Sequence, residues 1–169
     1  MMAVGLVFTA CGAAGAYGSA STTSSTGTAS PTPGSSVVVK TGTATVNGRS
    51  ETVLTDADGN TLYYFTPDAS GKVTCTGSCA SIWPPLQLAA WITSPTASTT
   101  LPGSLGTIAG AGGTTQVTYQ KWPLYTYAND TAAGQAKGEG LQGKWFVATP
   151  SLKPPSTSTS GSSSTSSGY

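Results

Sequence analysis

Between residues 37 and 153 the apolar positions fall in short runs broken by Gly, Pro, Asn and Asp, a spacing that suits strands and is too interrupted for long helices. Residues 43–46 and 51–54 read as strands on either side of Asn47-Gly48. That dipeptide accepts positive φ at both positions and predicts a two-residue hairpin turn. A second turn is expected at residues 56–60, of type I′ at Asp58-Gly59, before a strand over 62–65. In the second half, strands are expected at 116–119 and 124–127 around a connection at 120–123, with a closing strand at 144–148. Residues 78–82 fit one helical turn. The sum is an all-β fold, a small sandwich or partly closed barrel spanning residues 37–153.

Within this pattern lies a repeat. Leu62-Tyr63-Tyr64-Phe65-Thr66-Pro67-Asp68 recurs 62 residues later as Leu124-Tyr125-Thr126-Tyr127-Ala128-Asn129-Asp130, and Trp83 and Trp145 each follow 20 residues behind the Tyr of their own copy. Motif and Trp at one common offset point to duplication, so the domain divides into related halves at about 37–92 and 99–153. Side chains two apart in a strand share a face, which sets Tyr63 and Phe65 against Leu62 and Tyr64, and Tyr125 and Tyr127 against Leu124 and Thr126. The shared face takes Phe in one copy and Tyr in the other at its second position, as a core does. Tyr63, Phe65, Tyr125 and Tyr127 are therefore expected to pack between the halves with Trp83 and Trp145. Asp68 and Asp130 are expected to cap the turns leaving those strands through Asx-type hydrogen bonds, a symmetric acid pair being the alternative.

Composition narrows the function classes. Charged residues make up 8% of the chain, the net charge is +1, and the seven basic residues are scattered, so neither nucleic acid nor an anionic membrane surface has a basic patch to meet. A surface this poor in charge is solubilised by Ser, Thr, Gly and Asn, a composition suited to an extracytoplasmic setting. Residues 19–36 and 154–169 are nearly all Ser, Thr, Gly, Ala and Pro, and are expected to be a disordered tether and a disordered tail. Residues 1–18 are expected to be an export and anchoring region. Their apolar run ends in small residues directly before Cys11, as in a bacterial lipoprotein signal that is cleaved there and leaves the Cys diacylated. Phe8 stands where Leu or Val is usual, and no Lys or Arg precedes the run. The membrane would then be a partner through a lipid anchor.

With Cys11 lipidated, Cys75 and Cys79 remain as a pair expected to bridge outside the cytoplasm and to staple a five-residue loop by about 2 kcal/mol. A redox or copper-binding C-x-x-x-C is the alternative. The chain has no His, which removes the usual base beside a nucleophilic Ser or Cys as well as the usual copper ligand. Asp56-Ala57-Asp58-Gly59-Asn60 departs from a calcium loop in its Gly position and in having Pro67 where a Glu is needed. Gly138-Glu139-Gly140-Leu141-Gln142-Gly143 matches a dinucleotide-binding pattern in letters, but a strand-like Lys144-Trp145-Phe146-Val147 follows, so a Gly-rich turn is expected. No catalytic residue, metal or cofactor is expected. Trp83, Trp91, Trp122 and Trp145 are candidates for a polysaccharide-stacking face, with core packing as the competing reading.

Several of these segments, taken in order, resemble a known family. Gly59-Asn60-Thr61-Leu62-Tyr63 through Asp68, Cys75-Thr76-Gly77-Ser78-Cys79-Ala80, Trp83-Pro84-Pro85-Leu86, Val117-Thr118-Tyr119, Trp122-Pro123-Leu124-Tyr125 through Asp130, and residues 138–145 are similar to the bacterial predicted lipoproteins with a Tyr-x-aromatic-x-x-Asp motif, also called the secreted repeat of unknown function. The resemblance covers nearly all of residues 50–150 and implies an envelope or secreted location and an internal repeat, with no established activity. Asn60 stands where many relatives are expected to carry His. The expectation for function is an exported, lipid-anchored, non-enzymatic binding or structural module with an envelope partner or ligand. An extracytoplasmic redox partner and a polysaccharide-binding domain are the alternatives.

Overall fold

The computed structural model describes residues 37–156. The expectations for Cys11, the tether and the tail from residue 157 on lie outside the described residues.

The chain forms β1 (Val37–Val46), β2 (Arg49–Thr55), β3 (Tyr63–Phe65), α1 (Ser78–Ile82), β4 (Thr96–Ala97), β5 (Leu105–Ala109), β6 (Thr115–Tyr119), β7 (Trp122–Pro123) and β8 (Trp145–Val147), with 3-10 turns at Thr66–Ser70, Ala111–Gly113 and Leu141–Gly143. The strands make three small sheets, ordered β2-β1-β4, β3-β8 and β5-β6-β7. The fold is all-β and sandwich-like, and it does not close into a barrel.

Asn47 and Gly48 turn the first hairpin with φ of 49° and 78°, the pair of positive values that a type I′ turn requires. The loop at 56–60 differs from expectation. Asp58 keeps a negative φ, and the loop is organised by the Asp56 carboxylate, which accepts from Asp58 N at 3.0 Å and Asn60 N at 2.8 Å. The second half corrects the sequence reading more sharply. Its tight turn is the two-residue Gln120-Lys121, with φ of 50° and 70°, and the chain re-enters the sheet at Trp122, not at 124. Neither residue favours that conformation. The flanking rings anchor the hairpin on both sides of the turn, Tyr119 Oη donating to Pro150 O at 2.7 Å and Trp122 Nε1 to Lys153 O at 2.8 Å. Residues 124–127 are held by β-bridges from Tyr125 to Tyr63 and Pro85, outside any named strand. Strands β4 and β5 were not anticipated; β4 runs parallel to the start of β1, which extends that strand back to Val37.

The two repeats interlock. β3, from the first Tyr motif, pairs antiparallel with β8 in the second repeat, Tyr63 facing Val147 and Phe65 facing Trp145. The second motif reciprocates: Tyr125 bridges Pro85, and Thr126 N donates to Pro84 O at 2.9 Å. Further backbone bonds recur in both copies. Leu62 N donates to Leu54 O and Ala148 N to Leu62 O, matched by Leu124 N to Val117 O and Leu86 N to Leu124 O. The pleat then sorts the side chains. Leu62 and Leu124 enter a core with Val39, Leu54, Val117, Tyr119 and Ala148, whereas Tyr63 and Tyr125 enter a second core with Val53, Cys75, Trp83, Trp145 and Val147.

Candidate functional site

The centre of the molecule is the contact between the two motif tyrosines. Their backbones exchange hydrogen bonds, Tyr63 N to Tyr125 O at 2.8 Å and Tyr125 N to Tyr63 O at 3.0 Å. From this point the phenols diverge, and each reaches the carboxylate of the other repeat. Tyr63 Oη donates to Asp130 Oδ2 at 2.5 Å, and Tyr125 Oη donates to Asp68 Oδ2 at 2.6 Å. All four residues are buried, Asp68 at 0% and Asp130 at 8% exposure. The expected caps are met in part: one oxygen of each carboxylate bonds across the repeats, and the other holds the loop that leaves its own strand, at amides six and seven residues on and not at the near amide of an Asx turn. Asp68 lies in the 3-10 turn Thr66–Ser70 that follows Phe65, with its backbone carbonyl accepting from Gly71 N.

The second oxygen of each carboxylate is held by its own loop. Asp68 Oδ1 accepts from Thr74 N at 2.9 Å and Thr74 Oγ1 at 2.5 Å, and Asp130 Oδ1 accepts from Lys137 N at 2.9 Å. Hydrogen bonds to an ionised acceptor are among the strong ones, and they offset the desolvation of a buried carboxylate. Burial first, and the bonded carboxylate second, push both phenols far above the ordinary tyrosine range. Gly138 N donates to Tyr63 Oη at 3.2 Å and slightly opposes that shift. Gly138 is fixed by space as well: a Cβ there would lie 2.7 Å from Trp83 and 2.9 Å from Tyr63. The wholly buried Gln116 donates from Nε2 to Leu124 O at 2.9 Å, and its Oε1 has no hydrogen-bond partner among the described residues.

Beside the tyrosines, four rings stack in the order Phe65, Trp145, Trp83, Tyr127. Centroid steps are 4.2, 3.8 and 4.3 Å, and the two indoles lie within 3° of parallel. Tyr63 stands edge-on to Trp83 at 5.3 Å and Tyr125 edge-on to Trp145 at 5.2 Å. Both indoles are buried, and the outer rings Phe65 and Tyr127 are half-buried. All eight repeat-motif residues singled out from the sequence, Tyr63, Phe65, Asp68, Trp83, Tyr125, Tyr127, Asp130 and Trp145, therefore meet in one interior assembly.

Cys75 and Cys79 form a disulfide with Cα atoms 5.3 Å apart, Cys75 inside the aromatic core and Cys79 packed against it. Of the other tryptophans, Trp122 is buried and tilted against Tyr64, while Trp91 is 71% exposed. Residues 138–143 turn through positive φ at Gly140, Gln142 and Gly143. Among the described residues no group of three or more potential ligands is placed to hold a metal ion.

A family model described as a secreted repeat of unknown function matches the chain twice, at residues 44–87 and 106–149, together just over half its length. The chain belongs to this family. The two matches coincide with the interlocked halves, and the secreted repeat places the protein outside the cytoplasm. No curated protein and no solved structure matches the chain. Sequence reasoning missed Thr74, Gly138 and Gln116 as parts of the secreted repeat's interior. Thr74 and Gly138 had signals beside them, Cys75 and the G-x-G-x-x-G letters; Gln116 had none.

Proposed function

We propose that this secreted repeat protein is a lipid-anchored, non-enzymatic module, held off the membrane by its Ser/Thr-rich segment and presenting its surface to an envelope partner or ligand. One observation carries the reading: the Tyr and Asp of each motif, the polar groups best suited to chemistry, are buried and bonded to the other repeat. A buried carboxylate that accepts a phenol on one oxygen and a donor of its own loop on the other is committed to the interior and is not presented to a substrate. The aromatics support the same view, since Trp83, Trp122 and Trp145 lie in the interior and leave Trp91 as the one indole facing solvent. The test has two arms. Labelled fatty acid should be incorporated into the full chain and lost in Cys11→Ser. Tyr63→Phe should lower stability while leaving capture of envelope material unchanged when the variant is still folded. Absence of label from the wild-type chain overturns the anchor, and loss of capture in folded Tyr63→Phe overturns the structural role of the motif.

A further inference from the structure

The ring stack has two unlike ends. At one, Phe65 is a hydrocarbon ring, much harder to oxidise than Tyr or Trp. At the other, Tyr127 is half-buried, with its hydroxyl accepting from the exposed Asn129 Nδ2 at 3.0 Å. Between them the indoles of Trp83 and Trp145 overlap at 3.8 Å, and two nearly parallel rings at that distance share a positive charge more readily than one ring alone. Tyr63 touches both the entry and the pair, edge-on to Tyr127 at 6.3 Å and to Trp83 at 5.3 Å. Oxidising a phenol turns it into a strong acid. In a dry core that step needs a base already in contact, and the Asp130 carboxylate sits 2.5 Å from the Tyr63 hydroxyl. Asp130 is pinned on its other oxygen by Lys137 N, and the Tyr63 oxygen keeps the Gly138 N–H after its proton has left.

We propose that this assembly is an internal one-electron redox site, a sink for oxygen-centred radicals that are reduced at the Tyr127 edge. The electron vacancy passes through Trp83 and settles on Tyr63 as its proton moves to Asp130. In balanced form, Tyr63–OH, Asp130–CO2− and the oxidant become Tyr63–O•, Asp130–CO2H and the oxidant reduced by one electron. A small reductant of the ascorbate class returns the electron, and the carboxyl returns its proton to the phenoxyl oxygen. Tyr125 and Asp68 repeat the arrangement against Trp145. Phe65 closes the far end of the stack, so the vacancy is held and not passed across the molecule. The strongly raised phenol range keeps both tyrosines protonated and ready to lose a proton with the electron. This goes beyond the module reading, which stands whether or not it holds.

The experiment uses the full chain and photogenerated tris(bipyridine)ruthenium(III) as the probe oxidant, with transient absorption and freeze-quench EPR. The wild type should give a tyrosyl radical that carries the exchangeable-proton coupling of a phenoxyl bonded to a carboxylic acid. Its yield should fall in Tyr63→Phe, where Tyr125 and Asp68 remain, and the coupled signal should be absent when Tyr63→Phe and Tyr125→Phe are combined. Asp130→Asn should slow its formation about a hundredfold, the low end of what a positioned proton acceptor contributes. Tyr127→Phe places in the stack the ring that position 65 already carries, and should also slow formation. Equal rates in folded Asp130→Asn and wild type overturn the proposal. If Asp130→Asn does not fold, the wild type decides alone: a radical without that coupling, or radicals confined to exposed side chains such as Trp91, overturn it.

Discussion

Replacing Tyr125 by Phe removes one of the crossed hydrogen bonds, along with a lesser contact to the Gln116 side chain. The ring stays, so its edge contact with Trp145 survives and no cavity larger than a hydroxyl opens. The larger loss is the 2.6 Å bond to Asp68 Oδ2, in a carboxylate that is 0% exposed. Water does not reach that oxygen to take the place of the phenol. Hydrogen bonds to charged groups contribute about 1.5 to 3 kcal/mol, and the desolvation of the abandoned acceptor puts Tyr125→Phe in the upper half, at about 2 to 3 kcal/mol. Urea unfolding at neutral pH should show the loss as a lower midpoint at unchanged slope. Tyr64→Phe is the control, because the Tyr64 ring packs on Trp122 and Phe146. It should change stability by less than about 0.5 kcal/mol. A double-mutant cycle with Asp68→Ala should return a coupling of about 2 kcal/mol, since each single change removes the same bond. Additivity within about 0.5 kcal/mol would refute the claim that the two residues act on each other.

Three other outcomes follow from the same interior. Gly138→Ala should destabilise by about 1 to 3 kcal/mol, because its Cβ would meet Trp83 at 2.7 Å in a core with no flexible end to yield; an unchanged melting temperature contradicts this. Cys75→Ser should cost about 2 kcal/mol for the five-residue loop, and reduction of the wild type should cost about the same, so a reduced protein as stable as the oxidised one refutes the staple. The raised Tyr63 and Tyr125 phenols stabilise the fold below the unfolded tyrosine pKa of about 10 and lose that contribution as pH climbs beyond it. Above pH 10 the unfolded chain sheds two protons that the native state retains, so unfolding free energy should fall by about 2.7 kcal/mol per pH unit, and a flat profile between about pH 10 and 11 argues against burial of these hydroxyls.

How far the sequence foretold this arrangement depended on whether a signal was local. Asn47-Gly48 announced its turn because both residues tolerate the required φ without help. Gln120-Lys121 makes the same kind of turn with residues that do not, and the residues flanking it are anchored some thirty residues away on the carbonyls of Pro150 and Lys153. The alternation Leu-Tyr-x-aromatic was enough to assign the two faces of each motif strand. The destination of Asp68 was not legible, because a local rule for Asp points to the next few amides and says nothing of a phenol 57 residues on. Likewise β4, two residues long, exists only because β1 offers a free edge, which no window around Thr96 reveals.

The spacing within the motif explains why duplication and burial go together. Tyr63 and Asp68 are five residues apart, but the strand and the 3-10 turn after it send the phenol and the carboxylate in directions that do not meet. A single repeat therefore presents one donor and one acceptor, each unsatisfied by its own chain. Two repeats placed face to face satisfy both at once, donor of the first to acceptor of the second and the reverse, as in the isologous contact of a two-fold dimer. The exchange of strands follows the same rule, since Tyr63–Phe65 finds its partner in Trp145–Val147 and Tyr125 finds Pro85. The aromatics complete it: each half supplies one indole to the central stacked pair and one outer ring that covers the indole of the other half. Every element of the motif is thus an interface element, with each half forming part of the other's core. The same closure that holds the halves together puts two phenol–carboxylate pairs and a continuous stack of rings in a dry interior, where their chemistry is set by one another and not by solvent.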